Sequence, residues 1–329
     1  MHATRSLLSL LLCAAVFAPL ACSCSDGTTP AHASPSSNAP PRLAMVPKGT
    51  THVFWKAVED GARVGATASA IELTWKGALK EDDRAAQIQV VQNFVTERVA
   101  GIALAPLDHR ALLPVVREAR AAGIEVVIFD SALDGDVGKD FASYVATDNR
   151  AAGALAGVEL ARLLPAAGSA VLLRYQVGSA STHEREEGFL AAARAAGVKI
   201  AIDNRYAGAS AGEAKTEALN LADALRAAGG VFCSNESATN GMLLALRQLG
   251  LAGKIRFVGF DASPPLVEAL ERGEIDALVV QDPRKMGELA VRTLAARVRG
   301  EAVPPSIDTG AVLATRANMA DPAIAPLLR

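Results

Sequence analysis

Aromatic side chains make up only 4% of the 329 residues, and there is no surplus of charge of either sign. Thirty-three basic residues face 35 acidic ones, for a formal net charge of -2. Without a basic field, nucleic acid is excluded as a partner. Cysteine occurs four times, and Cys13, Cys22 and Cys24 all precede the body of the chain, leaving Cys233 alone within it. No disulfide framework and no cysteine metal cluster can be built from that set. The phosphate-cradling G-x-x-x-x-G-K-[ST] loop is missing, as is G-x-G-x-x-G after the first strand. His183-Glu184 is not continued into a zinc-protease helix, because Glu187 stands where the second histidine would be. An enzyme is therefore not expected, nor a metal or cofactor.

What is present is half hydrophobic, enough to fill cores in two lobes of ordinary domain size. Arg5 followed by the apolar run Leu7 to Ala21 reads as a secretion signal, too short to span a bilayer comfortably. The run ends Leu20-Ala21-Cys22, which looks like a bacterial lipoprotein signal. Residues 1–21 are then cleaved and Cys22 is acylated, with Cys24 as second choice. The mature protein would be lipid-anchored in the periplasm or cell envelope, tethered yet otherwise soluble. Residues 22–42, rich in Ser, Pro and Ala, cannot bury enough surface to offset ordering entropy and read as a flexible tether.

From Leu43 onward, strand and helix patterns alternate. Strands are expected at 71–75, 99–105, 126–130, 144–146, 170–175, 198–202, 230–233, 255–260 and 277–280. Helices are expected between them, one capped by Asp108, one over 184–196, one within 212–228, and a long last one from Asp282-Pro283 to Gly300. Repeated β-α units imply parallel sheets with helices on both faces, an α/β fold.

In such sheets ligands sit beyond the carboxyl ends of the strands. The stretch from Met45 to Ala62 holds a strand end, a polar loop with Lys48 and His52, and a helix opening on Phe54-Trp55. Two adjacent aromatics in so aromatic-poor a chain mark a flat apolar wall, although each alone reads as helix core. Other strand ends carry Asp130, Asn235, Asp261 and Gln281, and Arg185 opens a helix. Carboxylate, amide and guanidinium groups engage neighbouring hydroxyls in pairs, so the set suits a polyhydroxylated ligand. Asn235 reads equally as a helix N-cap, Asp261 as a turn residue, Arg185 as a solvated helix charge and Lys48 as an exposed loop lysine. Asp130 is hardest to explain away, because an acid ending an all-apolar strand is costly unless paired. Trp75 is assigned to core packing.

Taken in order, FW at Phe54-Trp55, VVIFD to Asp130, ATDN at Ala146 to Asn149, REEGF from Arg185, VFCSN to Asn235, VGFD to Asp261 and VVQ to Gln281 resemble the ribose-type sugar-binding proteins of ABC importers. The resemblance implies two Rossmann-like lobes joined by a three-segment hinge, the type I periplasmic binding protein fold. The amino lobe would hold residues 43–148 plus 282–309, and the carboxyl lobe 149–281 plus 310–329. It implies capture of a sugar or related small molecule by lobe closure, then delivery by a monomer to a membrane permease. A sensory receptor that presents the closed form to a chemoreceptor or sensor kinase is the alternative. His52 and Ser131 depart from the ribose binders, which carry Asn and Arg there, so a ligand other than ribose is expected.

Overall fold

The structure, a computed structural model, describes residues 40–329. The signal segment, Cys22 and nearly all of the expected tether lie outside the described residues. Within them, Arg42 already belongs to the first strand rather than to the tether.

The chain builds two six-stranded sheets. The first takes β1 (Arg42–Val46), β2 (Glu72–Trp75), β3 (Gly101–Leu104), β4 (Glu125–Phe129), β5 (Tyr144–Ala146) and, from near the end of the chain, β11 (Ser306–Asp308). The second takes β6 (Ser169–Arg174), β7 (Lys199–Tyr206), β8 (Gly230–Cys233), β9 (Arg256–Phe260), β10 (Ala277–Gln281) and β12 (Ala311–Thr315). Strand orders are β11-β5-β4-β3-β1-β2 and β12-β10-β9-β8-β6-β7, so each sheet is assembled by the same pattern of crossovers. All pairings are parallel except β10 with β12.

Both sheets are apolar on both faces, as parallel sheets covered by helices require. In β1, Leu43 and Met45 turn to one core and Ala44 and Val46 to the other. The helices are α1 (Val53–Ser69), α2 (Arg84–Thr96), α3 (Leu113–Ala121), α4 (Asn149–Leu163), α5 (Ala180–Ala195), α6 (Ala211–Asn220), α7 (Ala222–Ala227), α8 (Glu236–Gln248), α9 (Pro264–Arg272) and α10 (Pro283–Val298). Glycine sets how closely two helix pairs approach. A Cβ on Gly61 of α1 would sit 1.8 Å from the Arg284 carbonyl oxygen of α10, and one on Gly153 of α4 would sit 1.9 Å from that of Arg185 on α5. Only residues without a side chain fit there, and the second contact fixes the height of Arg185 above its sheet.

Some local expectations shift. Asp108 accepts from the backbone N–H groups of Arg110 and Ala111, shaping a turn ahead of α3 instead of capping it. Helix α5 starts about one turn earlier than its sequence pattern suggests, so Arg185 lies in its second turn. The helix expected within 212–228 is two helices, α6 and α7, that meet at Leu221. Trp75 is half-buried against the core of the first sheet, on the side shared with α1.

The chain passes between the two sheets after β5, after β10 and after β11. Thr147 ties these passages together. Its hydroxyl donates to Gln281 Oε1 (2.8 Å) and lies 3.3 Å from the Thr309 hydroxyl and 3.2 Å from the Gly310 carbonyl oxygen.

Candidate functional site

Asp130 follows β4 and Asp261 follows β9, at equivalent places in the two sheets. Both adopt left-handed backbone, with φ of 59° and 68°. Asp and Asn tolerate that region better than other side-chain-bearing residues. Both carboxylates are buried in one cavity between the sheets. That cavity is also lined by Lys48, His52, Phe54, Trp55, Arg185, Asn235 and Gln281. All nine residues singled out from the sequence for a ligand thus surround one space. The space they enclose, open solvent at its mouth included, is about 330 Å³.

On the side of the second sheet, a buried network centres on Arg185. Its Nε donates to Asn149 Oδ1 (2.8 Å), Nη1 to the Ser234 carbonyl (3.1 Å) and Nη2 to Gln281 Oε1 (2.9 Å). The guanidinium lies 4.0 Å from the centre of the Phe260 ring, a cation–π contact. Gln281 Nε2 donates in turn to Asp261 Oδ1 (2.7 Å), and the Glu236 N–H donates to Asp261 Oδ2 (3.1 Å). Burial pushes the Asp261 carboxyl above its usual range, although the Arg185 charge pulls the other way. Asn235 does what its sequence context also suggests: its Oδ1 caps α8 by accepting from Ala238 N (3.2 Å).

On the side of the first sheet, the aromatic wall is Phe54 and Trp55, edge to face with centres 4.9 Å apart. Trp55 is also edge to face with Phe129 at 6.2 Å. Lys48 is 3% exposed, and its ammonium donates to Ser181 Oγ (2.9 Å) and sits 2.9 Å from Asp130 Oδ2. The latter contact has the distance of an ion pair but not the alignment of a hydrogen bond, and no described group donates to Asp130 Oδ2.

Five further residues line the cavity: Glu81, Tyr175, Ser181, Thr182 and Glu236. Glu81 accepts from Trp55 Nε1 (2.6 Å) and Tyr175 Oη (2.8 Å) and pairs with His52 Nδ1 (2.6 Å). Among the described residues, no group of three or more His, Cys, Asp or Glu side chains is arranged to hold a metal ion. Cys233 is a free thiol, buried in the core at the end of β8, where burial pushes its pKa up.

The His52–Glu81 pair has a pH signature. Burial pulls the His52 pKa down, but the hydrogen bond and charge of Glu81 outweigh it, so it ends above 6.5. Burial pushes Glu81 up, but His52 outweighs it, so Glu81 ends below 4.5. A raised histidine gives stability that is complete below pH 6.5 and lost as pH climbs through its folded value. A lowered carboxyl gives stability that is complete above pH 4.5 and lost on further acidification. The pair therefore contributes most between pH 4.5 and 6.5. His52→Gln removes the titration, so the gap in melting temperature between native and variant should narrow as pH rises past 6.5. Calorimetric melts across pH 5 to 9 measure this, and a constant gap would show that the pair does not titrate with folding.

Residues 43–302 match the model of a protein family described as the periplasmic binding protein domain. The chain belongs to the periplasmic binding protein family. The family's members are substrate-binding transport proteins, not enzymes. The two-sheet architecture is that of the type I periplasmic binding proteins. A curated relative, the D-ribose/D-allose-binding protein of Pseudomonas aeruginosa, is 30% identical over 268 residues, covering 79% of this chain and 83% of the relative. A periplasmic component of an ABC-type sugar transport system from Hahella chejuensis superposes with a TM-score of 0.80 at 38% identity, covering 83% of this chain and 99% of that one. A carbohydrate transporter solute-binding protein from Agrobacterium radiobacter, solved in complex with D-arabinose, gives a TM-score of 0.84 at 32% identity, covering 89% and 100%.

Proposed function

We propose that this periplasmic binding protein captures a sugar or closely related polyhydroxylated molecule between its lobes and hands it to an ABC importer. The observation that carries the reading is the composition of one buried cavity, an aromatic wall from one lobe facing carboxylate, amide and guanidinium groups from both. Flat rings pack against the C–H face of a sugar, while paired donors and acceptors read vicinal hydroxyls. Asp130 brings an oxygen with no donor of its own. Arg185 and Gln281 link the cavity to the passages between lobes, so ligand contacts bear on lobe geometry. A ligand that bonds both lobes favours the closed arrangement through its differential affinity.

The nine residues named from the sequence are proposed as the ligand contacts, in a monomer that docks on a membrane permease. Lipid anchoring at Cys22 belongs to the same proposal. The test is a thermal-shift screen with D-ribose, D-allose, D-arabinose, D-fucose, polyols and sugar acids, followed by titration calorimetry. A specific ligand at a hundred times its Kd stabilises by about 2.7 kcal/mol, a shift of several degrees. If no member of those classes moves the melt at millimolar concentration, the sugar reading is wrong.

A further inference from the structure

Glu236 stands at the start of α8, beside the second sheet, yet its carboxylate is bonded to the other lobe. Oε1 accepts from the backbone N–H of Val53 at 3.4 Å and Oε2 from that of Phe54 at 3.0 Å. These are the first two amides of α1, donors that a helix cannot satisfy internally and that an N-cap side chain usually serves. The N-cap position is His52, and it makes no capping bond, because its ring is engaged with Glu81. The vacant role is filled from across the cleft. The carboxylate also meets the positive end of the α1 dipole. The turn it caps carries Phe54 and Trp55, the aromatic wall of the cavity.

We propose that Glu236 is a positioning residue for ligand capture, which caps α1 from the opposite lobe and so completes the helix bearing the aromatic wall in the lobe arrangement described, before any ligand is bound. Two other contacts work in the same direction. Tyr175 Oη donates to Glu81 across the cleft at 2.8 Å, and Lys48 Nζ donates to Ser181 Oγ at 2.9 Å. Glu236 differs from these in acting on the backbone of the wall itself. Its pocket does not favour a negative charge. Burial pushes its carboxyl up, and the charge of Asp261 adds to that, against the backbone donors and His52. What α1 needs is an acceptor oxygen of the right reach, which an amide also supplies.

The proposal rests on the reading that the lobes close on a ligand, but its first test requires no sugar. Hydrogen exchange on the ligand-free full chain reads the Val53 and Phe54 amides directly. Protection in the native chain, exchange about tenfold faster in Glu236→Ala, and native-like protection in Glu236→Gln are expected. Equal exchange in native and Ala chains, or a Gln variant as exposed as Ala, overturns the proposal. With whichever sugar the native chain binds, Glu236→Ala should release it about tenfold faster at unchanged association rate, since lost closed-state contacts act on dissociation. An unchanged release rate equally defeats the assignment. If no sugar binds the native chain while the exchange pattern holds, the ligand reading fails and the cross-lobe cap stands.

Discussion

Asp130→Asn should weaken sugar binding by ten- to a hundredfold while the chain still folds cooperatively. A hydrogen bond to a charged group contributes roughly 1.5–3 kcal/mol, and Asp130 Oδ2 has no described donor to share it with. Asparagine keeps the shape and tolerates the left-handed backbone at φ 59°, so the loss reports on charge rather than on strain. Asp130→Ala adds roughly 1–2 kcal/mol of backbone strain on top and is the poorer probe. The substitution also strands Lys48, whose ammonium is almost fully buried with only Ser181 left as a described acceptor. Breaking a buried pair from one side typically costs about 3–5 kcal/mol, so the melting temperature should fall as well. The double variant Lys48→Met with Asp130→Asn separates the two effects. It should regain most of the stability and none of the affinity, as measured by urea melts and titration calorimetry in a double-mutant cycle. A single variant with native affinity would remove Asp130 from the ligand site.

Arg185→Met should abolish detectable binding and lower stability by about 3–5 kcal/mol, because one side chain serves several buried acceptors. Without it the Asn149 oxygen and the Ser234 carbonyl lose a donor, Gln281 Oε1 keeps only the Thr147 donor, and Asp261 loses the cation whose charge pulls its pKa down. The ring of Phe260 would also lose the guanidinium that covers it. Arg185→Lys restores the charge but not the fork, since an ammonium cannot span the three acceptors in one plane. It should recover part of the stability and leave affinity at least tenfold below native. Calorimetry and denaturant melts on both variants decide the matter. If the Lys variant binds as tightly as the native chain, the planar network is not needed for recognition.

Much of this site could be read from the chain before any geometry was known, for a physical reason. A parallel strand is an unbroken apolar run, so the first polar residue after it stands out, as in IFD to Asp130, GFD to Asp261 and VVQ to Gln281. Strand ends are also where the fold opens its cleft. Residues that escaped notice lack that contrast. Glu81 sits in the charged loop Lys80-Glu81-Asp82-Asp83, where nothing local distinguishes a buried acid from solvated ones. Glu236 looks like an ordinary acid in a helix's first turn, and only the opposing lobe gives it another task. Ser181 and Thr182 were lost because α5 begins a turn before its apolar pattern does. The edge strands β11 and β12 carried no repeat signal, since both follow α10 and stand outside the alternation of strand and helix. That the two lobes share a crossover pattern was likewise visible only in the strand orders.

Thr147 has a single hydroxyl proton, and it touches all three passages between the sheets at once. Twisting any one of these connections disturbs the same bond that anchors the others. Lobe movement should therefore be all-or-none, with one relaxation time for opening and closing rather than three staggered ones. A solute held by such a joint should leave in a single exponential step.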